Sequence, residues 1–210
     1  MTKRRISYPE ILSIASPGYS ERAADVIRGG GIVAFPTETY YGLGVDPFNK
    51  DGLDRLFELK KRSFSKPILV IIDSLSQLDQ LTTDVPEQYH RLITNYWPGP
   101  LTLIFPALSS LSSVLTGGSG TIGIRMSSSA VATEICKSAG IPISATSANI
   151  SGQPPATNVD EVASYFGKNI DLLIDGGVSE SPQASTIATL DGQRLRIVRQ
   201  GVLQLRMDEP

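Results

Sequence analysis

The chain has 210 residues, of which 40% are hydrophobic and 19% charged, a composition that can bury one sizeable core and is too apolar for a disordered chain. Its formal net charge of -2 provides no bulk positive field for nucleic acid or membrane, so such contacts would have to come from a local cleft. A single cysteine, Cys136, and a single histidine, His90, exclude an internal disulfide and leave a Cys/His zinc site short of ligands.

The N-terminus, MTKRRISYPE, is basic. No continuous apolar stretch of signal-peptide or membrane-spanning length follows it, which predicts a cytoplasmic protein in a reducing compartment. Helical periodicity is expected at 20–28, 52–61, 86–96, 129–139 and 158–166. Strand-like runs are expected at 32–35, 68–72, 101–105, 121–126, 141–146, 171–175, 185–190 and 194–198. This alternation predicts an α/β fold, a single domain over 1–210 with its motif-bearing core at about 20–203, in which helices flank a twisted mixed parallel/antiparallel sheet. The strands after Asp171 lack helices between them and are expected to pair partly antiparallel. Ser129, Gly140 and the Asn158/Glu161 pair read as helix caps, and Ser109 to Gly120 reads as a loop.

Four clusters carry candidate chemistry. AFPTETYYGLG follows the first predicted strand, and ligands collect at strand ends in open α/β sheets; Thr37, Glu38 and Thr39 are left there between Pro36 and the glycines Gly42 and Gly44. A capped turn whose hydroxyls satisfy the backbone accounts for it equally well. KKRSFSKP places Lys60, Lys61, Arg62 and Lys66 within seven residues. That is a gathering point for polyphosphate, or a solvated helix end. SATSANISGQPP, from Ser144 to Pro155, offers hydroxyls, an asparagine and exposed amides at a strand end, with no Walker glycine-lysine motif. Finally, Arg125 and Arg199 each close an apolar run and suit a carboxylate or phosphate fork, or a surface ion pair. His90 and Cys136 read as structural, and Trp97 as closing a helix and packing under the next strand.

Together with NYWPGPLTLIFP, IGIRM and the late DGG followed by ASTIATL and IVRQGV, these words occur in one order across 29–202. In that joint pattern the chain resembles the YrdC-like family, the threonylcarbamoyl-AMP synthases, in its short single-domain form. The resemblance implies a nucleotidyltransferase that condenses L-threonine, bicarbonate or CO2, and ATP with Mg2+ into threonylcarbamoyl-AMP and diphosphate. A separate transferase complex then delivers the group to a tRNA adenosine. It implies ATP contacts for Lys60, Arg62, Lys66, Thr121, Ser147, Asn149, Pro155 and Arg199, with Lys60 and Arg62 stabilising phosphate charge. It implies threonine contacts for Thr37, Arg125 and Ala145, no covalent nucleophile, and no metal ligand on a protein side chain. Lys61, Ser63, Ile71 and Gln200 depart from the wording of many relatives, and the resemblance is to the short form, which is expected to do without the linker and second domain of longer ones. Two alternatives stand beside this reading: a noncatalytic RNA-binding protein using the basic cleft at 60–66, and a carbamoyl-adenylate enzyme with another acceptor.

Overall fold

The structure is a computed structural model that describes residues 9–179 and 183–205; the basic N-terminal tract lies almost wholly outside them. In chain order the strands and α-helices are β1 (Glu10–Ser13), α1 (Tyr19–Arg28), β2 (Val33–Pro36), β3 (Tyr41–Gly44), α2 (Lys50–Lys60), β4 (Leu69–Ile72), α3 (Glu87–Tyr96) and β5 (Leu101–Pro106). They continue as α4 (Ser113–Thr116), β6 (Thr121–Met126), α5 (Ala130–Ala139), β7 (Ile143–Ser147), α6 (Val159–Phe166), β8 (Leu172–Asp175), β9 (Thr186–Asp191) and β10 (Arg194–Arg199). The strands form one mixed sheet in the order β1-β8-β2-β3-β7-β4-β6-β5-β9-β10. β8 runs parallel to β1 and β2, and β4 to β6, while β2/β3, β3/β7 and β9/β10 are antiparallel.

The five predicted helices form within two residues of their expected limits, and three of them, α2, α5 and α6, start at a local side-chain cap. Asn49 accepts from Gly52 N at 2.9 Å and Asn158 from Glu161 N at 3.0 Å, and Ser129 caps α5. Gly140 takes the left-handed conformation at the end of α5, where a glycine avoids the Cβ clash. Three of these elements escaped the sequence, β1, β3 and the short α4 inside the stretch expected to be a loop, as did two 3-10 turns at Leu75–Gln80 and Gly167–Asn169. Gly42 and Gly44 also prove to be extended residues of β3, not turn glycines. What Gly44 provides is closeness, since a Cβ there would stand 2.7 Å from Ile143 Cγ2 and 2.8 Å from Phe35 Cε1.

Strand alternation sorts the core into two layers. Ile32, Ala34, Val70, Ile72, Ile122 and Ile124 face one layer, with α2, α3 and α6 packed over it. Val33, Phe35, Ile71 and Ile143 face the other, under α1 and α5. Trp97 ends α3 and donates from its indole nitrogen to Leu101 O at 2.7 Å, beneath β5. Cys136 sits in the α5 layer with no exposure, and His90 is exposed on α3. Helices α1 and α5 contact β2, β4 and β8, and the same face of the sheet continues over β6. There the outward set Thr121, Gly123 and Arg125 meets a cavity.

Candidate functional site

That cavity measures about 480 Å³. Its floor is β6. Gly123 lies between Thr121 and Arg125 on this face, and a Cβ on it would come within 2.5 Å of Leu69 Cδ2, so the absent side chain keeps the floor low. One wall is the basic loop after α2. Lys61 ends that helix at φ 50, and the turn directs Arg62 inward. Arg62 donates from Nε to Lys66 O at 3.1 Å and from Nη2 to Pro67 O at 2.7 Å, which closes the loop around its own guanidinium. Arg62 and Lys66 both line the cavity. Behind the loop, Gly117 at φ 62 lets the backbone after α4 approach; a Cβ there would stand 2.9 Å from Pro67 N.

The opposite wall is the end of β7 and the segment after it, contributing Ala145, Ser147 and Pro155. Lys60 and Asn149, also expected at the nucleotide, are not among the residues lining the cavity. Lys60 is 1% exposed, and its ammonium is engaged under this wall. It donates to Asn149 O at 2.7 Å, to Asn149 Oδ1 at 3.3 Å and to the carbonyl of Ser147. Its own carbonyl accepts from Ser151 N at 2.9 Å, and the Ser147 hydroxyl donates to Asn149 Oδ1 at 2.6 Å. Burial, aided by the neighbouring Arg62 charge, pushes the Lys60 ammonium below its ordinary range to about 7. In this arrangement Lys60 and Asn149 shape the wall, and Ser147 presents it.

The far end of the cavity is formed by the turn between β2 and β3. Thr37 Oγ1 donates to Tyr40 O at 2.7 Å and lies 2.9 Å from Thr39 Oγ1. The hydroxyls therefore do cap the turn, as the structural alternative held, and Thr37, Thr39 and Tyr40 line the cavity as well. Arg125, 6% exposed, reaches this end. Arg199 enters from β10, donating from Nη2 to Ser185 O at 3.0 Å and to Ser185 Oγ at 3.2 Å. Burial lowers the pKa of both guanidiniums, and the Arg125 charge lowers that of Arg199 further. Both remain cations, because arginine starts far above neutrality. Two guanidiniums at one end, one of them paired with Glu38, and a cationic loop at the other place positive charge at both ends of the cavity.

Nine of the eleven expected site residues thus line one cavity: Thr37, Arg62, Lys66, Thr121, Arg125, Ala145, Ser147, Pro155 and Arg199. Sequence reasoning passed over Ser185, which lines it too and reads in sequence only as the first residue of a strand. Among the described residues there is no cluster of three His, Cys, Asp or Glu groups that could hold a metal. No helix among them is long and apolar enough to cross a membrane.

Comparison with known proteins follows this geometry. The sequence profile of the Sua5/YciO/YrdC family, described as telomere recombination, matches residues 25–201. The threonylcarbamoyl-AMP synthase of Pyrococcus abyssi is 39% identical over 183 residues, which is 87% of this chain and 54% of that protein. The synthase of Pseudomonas fluorescens is 35% identical over 81% of this chain and 91% of its own length. The chain spans about half the length of the first curated relatives it matches, with 54% and 51% covered. The solved structure of Pyrococcus abyssi Sua5 complexed with L-threonine superposes with a TM-score of 0.88 at 36% identity, over 93% of this chain and 58% of that one.

Proposed function

The chain belongs to the Sua5/YciO/YrdC family, and from that premise we propose that its cavity makes threonylcarbamoyl-AMP from L-threonine, bicarbonate or CO2, and ATP. The observation that carries the proposal is the pairing, in one cavity, of a buried guanidinium beside a hydroxyl-lined turn with a cationic loop opposite. An amino-acid carboxylate suits the first end, and a polyphosphate suits the second.

In this reading Arg125 forks the threonine carboxylate, and Thr37 and the Ala145 backbone flank the rest of the amino acid. Arg62 and Lys66 hold the phosphates, while Thr121, Ser147, Pro155 and Arg199 bound the nucleotide. The threonine nitrogen adds to the carbon of CO2 and gives up a proton to form a carbamate; with bicarbonate as the source, the C–O bond to one oxygen breaks and that oxygen leaves as water. One carbamate oxygen then bonds the α-phosphorus as the bond to the diphosphate oxygen breaks, and diphosphate leaves with the electron pair. No side chain is acylated, so the acceleration comes from placing two anionic reactants in line and from neutralising the leaving charge. Mg2+ is proposed to arrive on the ATP phosphates; bound there it would neutralise the departing diphosphate. The product would pass to a separate transferase that modifies a tRNA adenosine.

Diphosphate release, followed with ATP, bicarbonate and each amino acid in turn, tests the reading. The expected outcome is release that depends on threonine. Equal release with no amino acid present would refute it.

A further inference from the structure

Glu38, the one carboxylate in the PTETYYGLG turn, has no part in the chemistry so far. Its neighbours Thr37 and Thr39 line the cavity, whereas Glu38 is turned behind them. One oxygen, Oε1, faces Arg125 Nη1 at 3.2 Å, with side-chain exposures of 14% for Glu38 and 7% for Arg125. The other, Oε2, accepts from the Ser127 hydroxyl. Ser127 is held in turn, its Oγ accepting from Ser129 N at 3.1 Å, while Ser129 Oγ donates to Pro36 O at 3.2 Å. A chain of contacts thus runs from the β2 terminus through the start of α5 to the back of the Arg125 guanidinium. Glu38 Oε1 and Arg125 Nε are both buried without a hydrogen-bond partner, so the 3.2 Å approach is an ion pair and not an aligned hydrogen bond, and the guanidinium has donors to spare.

The charge count is as informative as the geometry. Arg199, which bounds the nucleotide, lies within electrostatic reach of Arg125 and adds its charge to this end of the cavity, and Glu38 is the carboxylate paired with Arg125. Two guanidiniums alone would hold a charge of two and would suit a phosphate group or diphosphate as well as any carboxylate. With Glu38 in place one positive charge remains, which a single carboxylate neutralises and a multiply charged phosphate overshoots.

We infer that Glu38 is a specificity-determining positioning residue, which aims Arg125 and keeps the net charge of its pocket at one, so that the pocket takes a carboxylate and turns phosphate toward Arg62 and Lys66. The inference rests on the assignment of Arg125 to the amino-acid carboxylate.

The test is steady-state kinetics of the intact protein with diphosphate as inhibitor, in wild type, Glu38→Gln, Glu38→Asp and Ser127→Ala. In wild type, diphosphate should compete with ATP and not with threonine. In Glu38→Gln the KM for threonine should rise by about tenfold or more, a conversion of about 1.4 kcal/mol, and diphosphate should become competitive with threonine as well. Glu38→Asp keeps the charge and shortens the reach, so it should weaken threonine while preserving the inhibition pattern, a split that a purely structural role would not produce. Ser127→Ala, which leaves the charges in place, should raise the threonine KM less than Glu38→Gln and supplies the test if that variant does not fold. An unchanged threonine KM in a folded Glu38→Gln protein, with diphosphate still competing against ATP alone, overturns the inference and leaves the functional reading standing. A wild type with no threonine dependence removes both.

Discussion

The buried ammonium of Lys60 donates to the carbonyl oxygen of Asn149 at 2.7 Å, tying the last turn of α2 to the wall that presents Ser147. A lysine so placed shifts toward its neutral form, and its pKa falls below the ordinary 10.5 to about 7. The sign of the linkage follows. Between these values the unfolded chain holds a proton that the folded chain has lost, so stability should rise with pH, by about 1.4 kcal/mol per unit within that window. Below pH 7 both states are protonated and the contribution is flat. Denaturant unfolding at pH 6, 7, 8 and 9 should show this rise in wild type and a flatter profile in Lys60→Met; parallel profiles would contradict the burial argument.

Nucleotide affinity separates Lys60 from Arg62. Arg62 faces the cavity, and losing a charged hydrogen bond costs about 1.5 to 3 kcal/mol. Arg62→Ala should therefore weaken ATP much more than adenosine. Lys60→Met should weaken ATP, AMP and adenosine by similar factors, because it disturbs the wall and not the phosphates. Lys61→Ala, at an exposed position, should leave all three close to wild type. Calorimetry with the three ligands checks this, and equal penalties on ATP alone for all three variants would indicate a diffuse basic surface instead.

The contrast between Lys60 and Arg62 also marks how far the sequence could be read. Composition and spacing identify a cationic cluster, and they cannot say which cations turn outward. That depends on Lys61 adopting φ 50, which ends the helix and sends the next side chain to the other side. β3 was hidden for a related reason: YGLG has two glycines, which are poor strand formers, and beyond its hairpin with β2 it is held by a long-range pairing to β7. The limits of α5 and α6 were legible because Ser129 and Asn158 cap locally, whereas the Asn49 cap went unread and α2 starts two residues before its expected limit. Arg125 and Arg199 were legible as ends of apolar runs, but their convergence depends on β5 and β9 lying side by side, a long-range parallel pairing that no local pattern encodes.

The two glycines of β3 should respond differently to substitution. A Cβ at Gly44 would come within 2.7 Å of Ile143 Cγ2 and 3.0 Å of Ser144 O, whereas one at Gly42 would have no neighbour closer than 3.7 Å. Gly44→Ala should destabilise by about 1 to 3 kcal/mol through overpacking. Gly42→Ala should stay within about 0.5 kcal/mol of wild type. Urea midpoints measure both, and equal midpoints would mean that the β3/β7 contact is looser than described.

Arg125→Lys keeps a positive charge and loses the planar fork. A lysine cannot reproduce a bidentate contact, so threonine use should fall by at least about tenfold with ATP affinity retained. Normal threonine affinity with lost ATP affinity, in a folded variant, would move the amino-acid pocket elsewhere in the cavity.

The most direct measurement follows the carbon of labelled bicarbonate in a reaction containing the protein, ATP, Mg2+ and threonine. The account predicts that the label appears in an AMP conjugate that also contains threonine, formed in step with diphosphate. Serine, which lacks one methyl group, should give less product by a margin of about 1 to 3 kcal/mol in kcat/KM. If ATP is cleaved at the same rate without an amino acid and no label reaches the AMP conjugate, the cavity does not perform this synthesis.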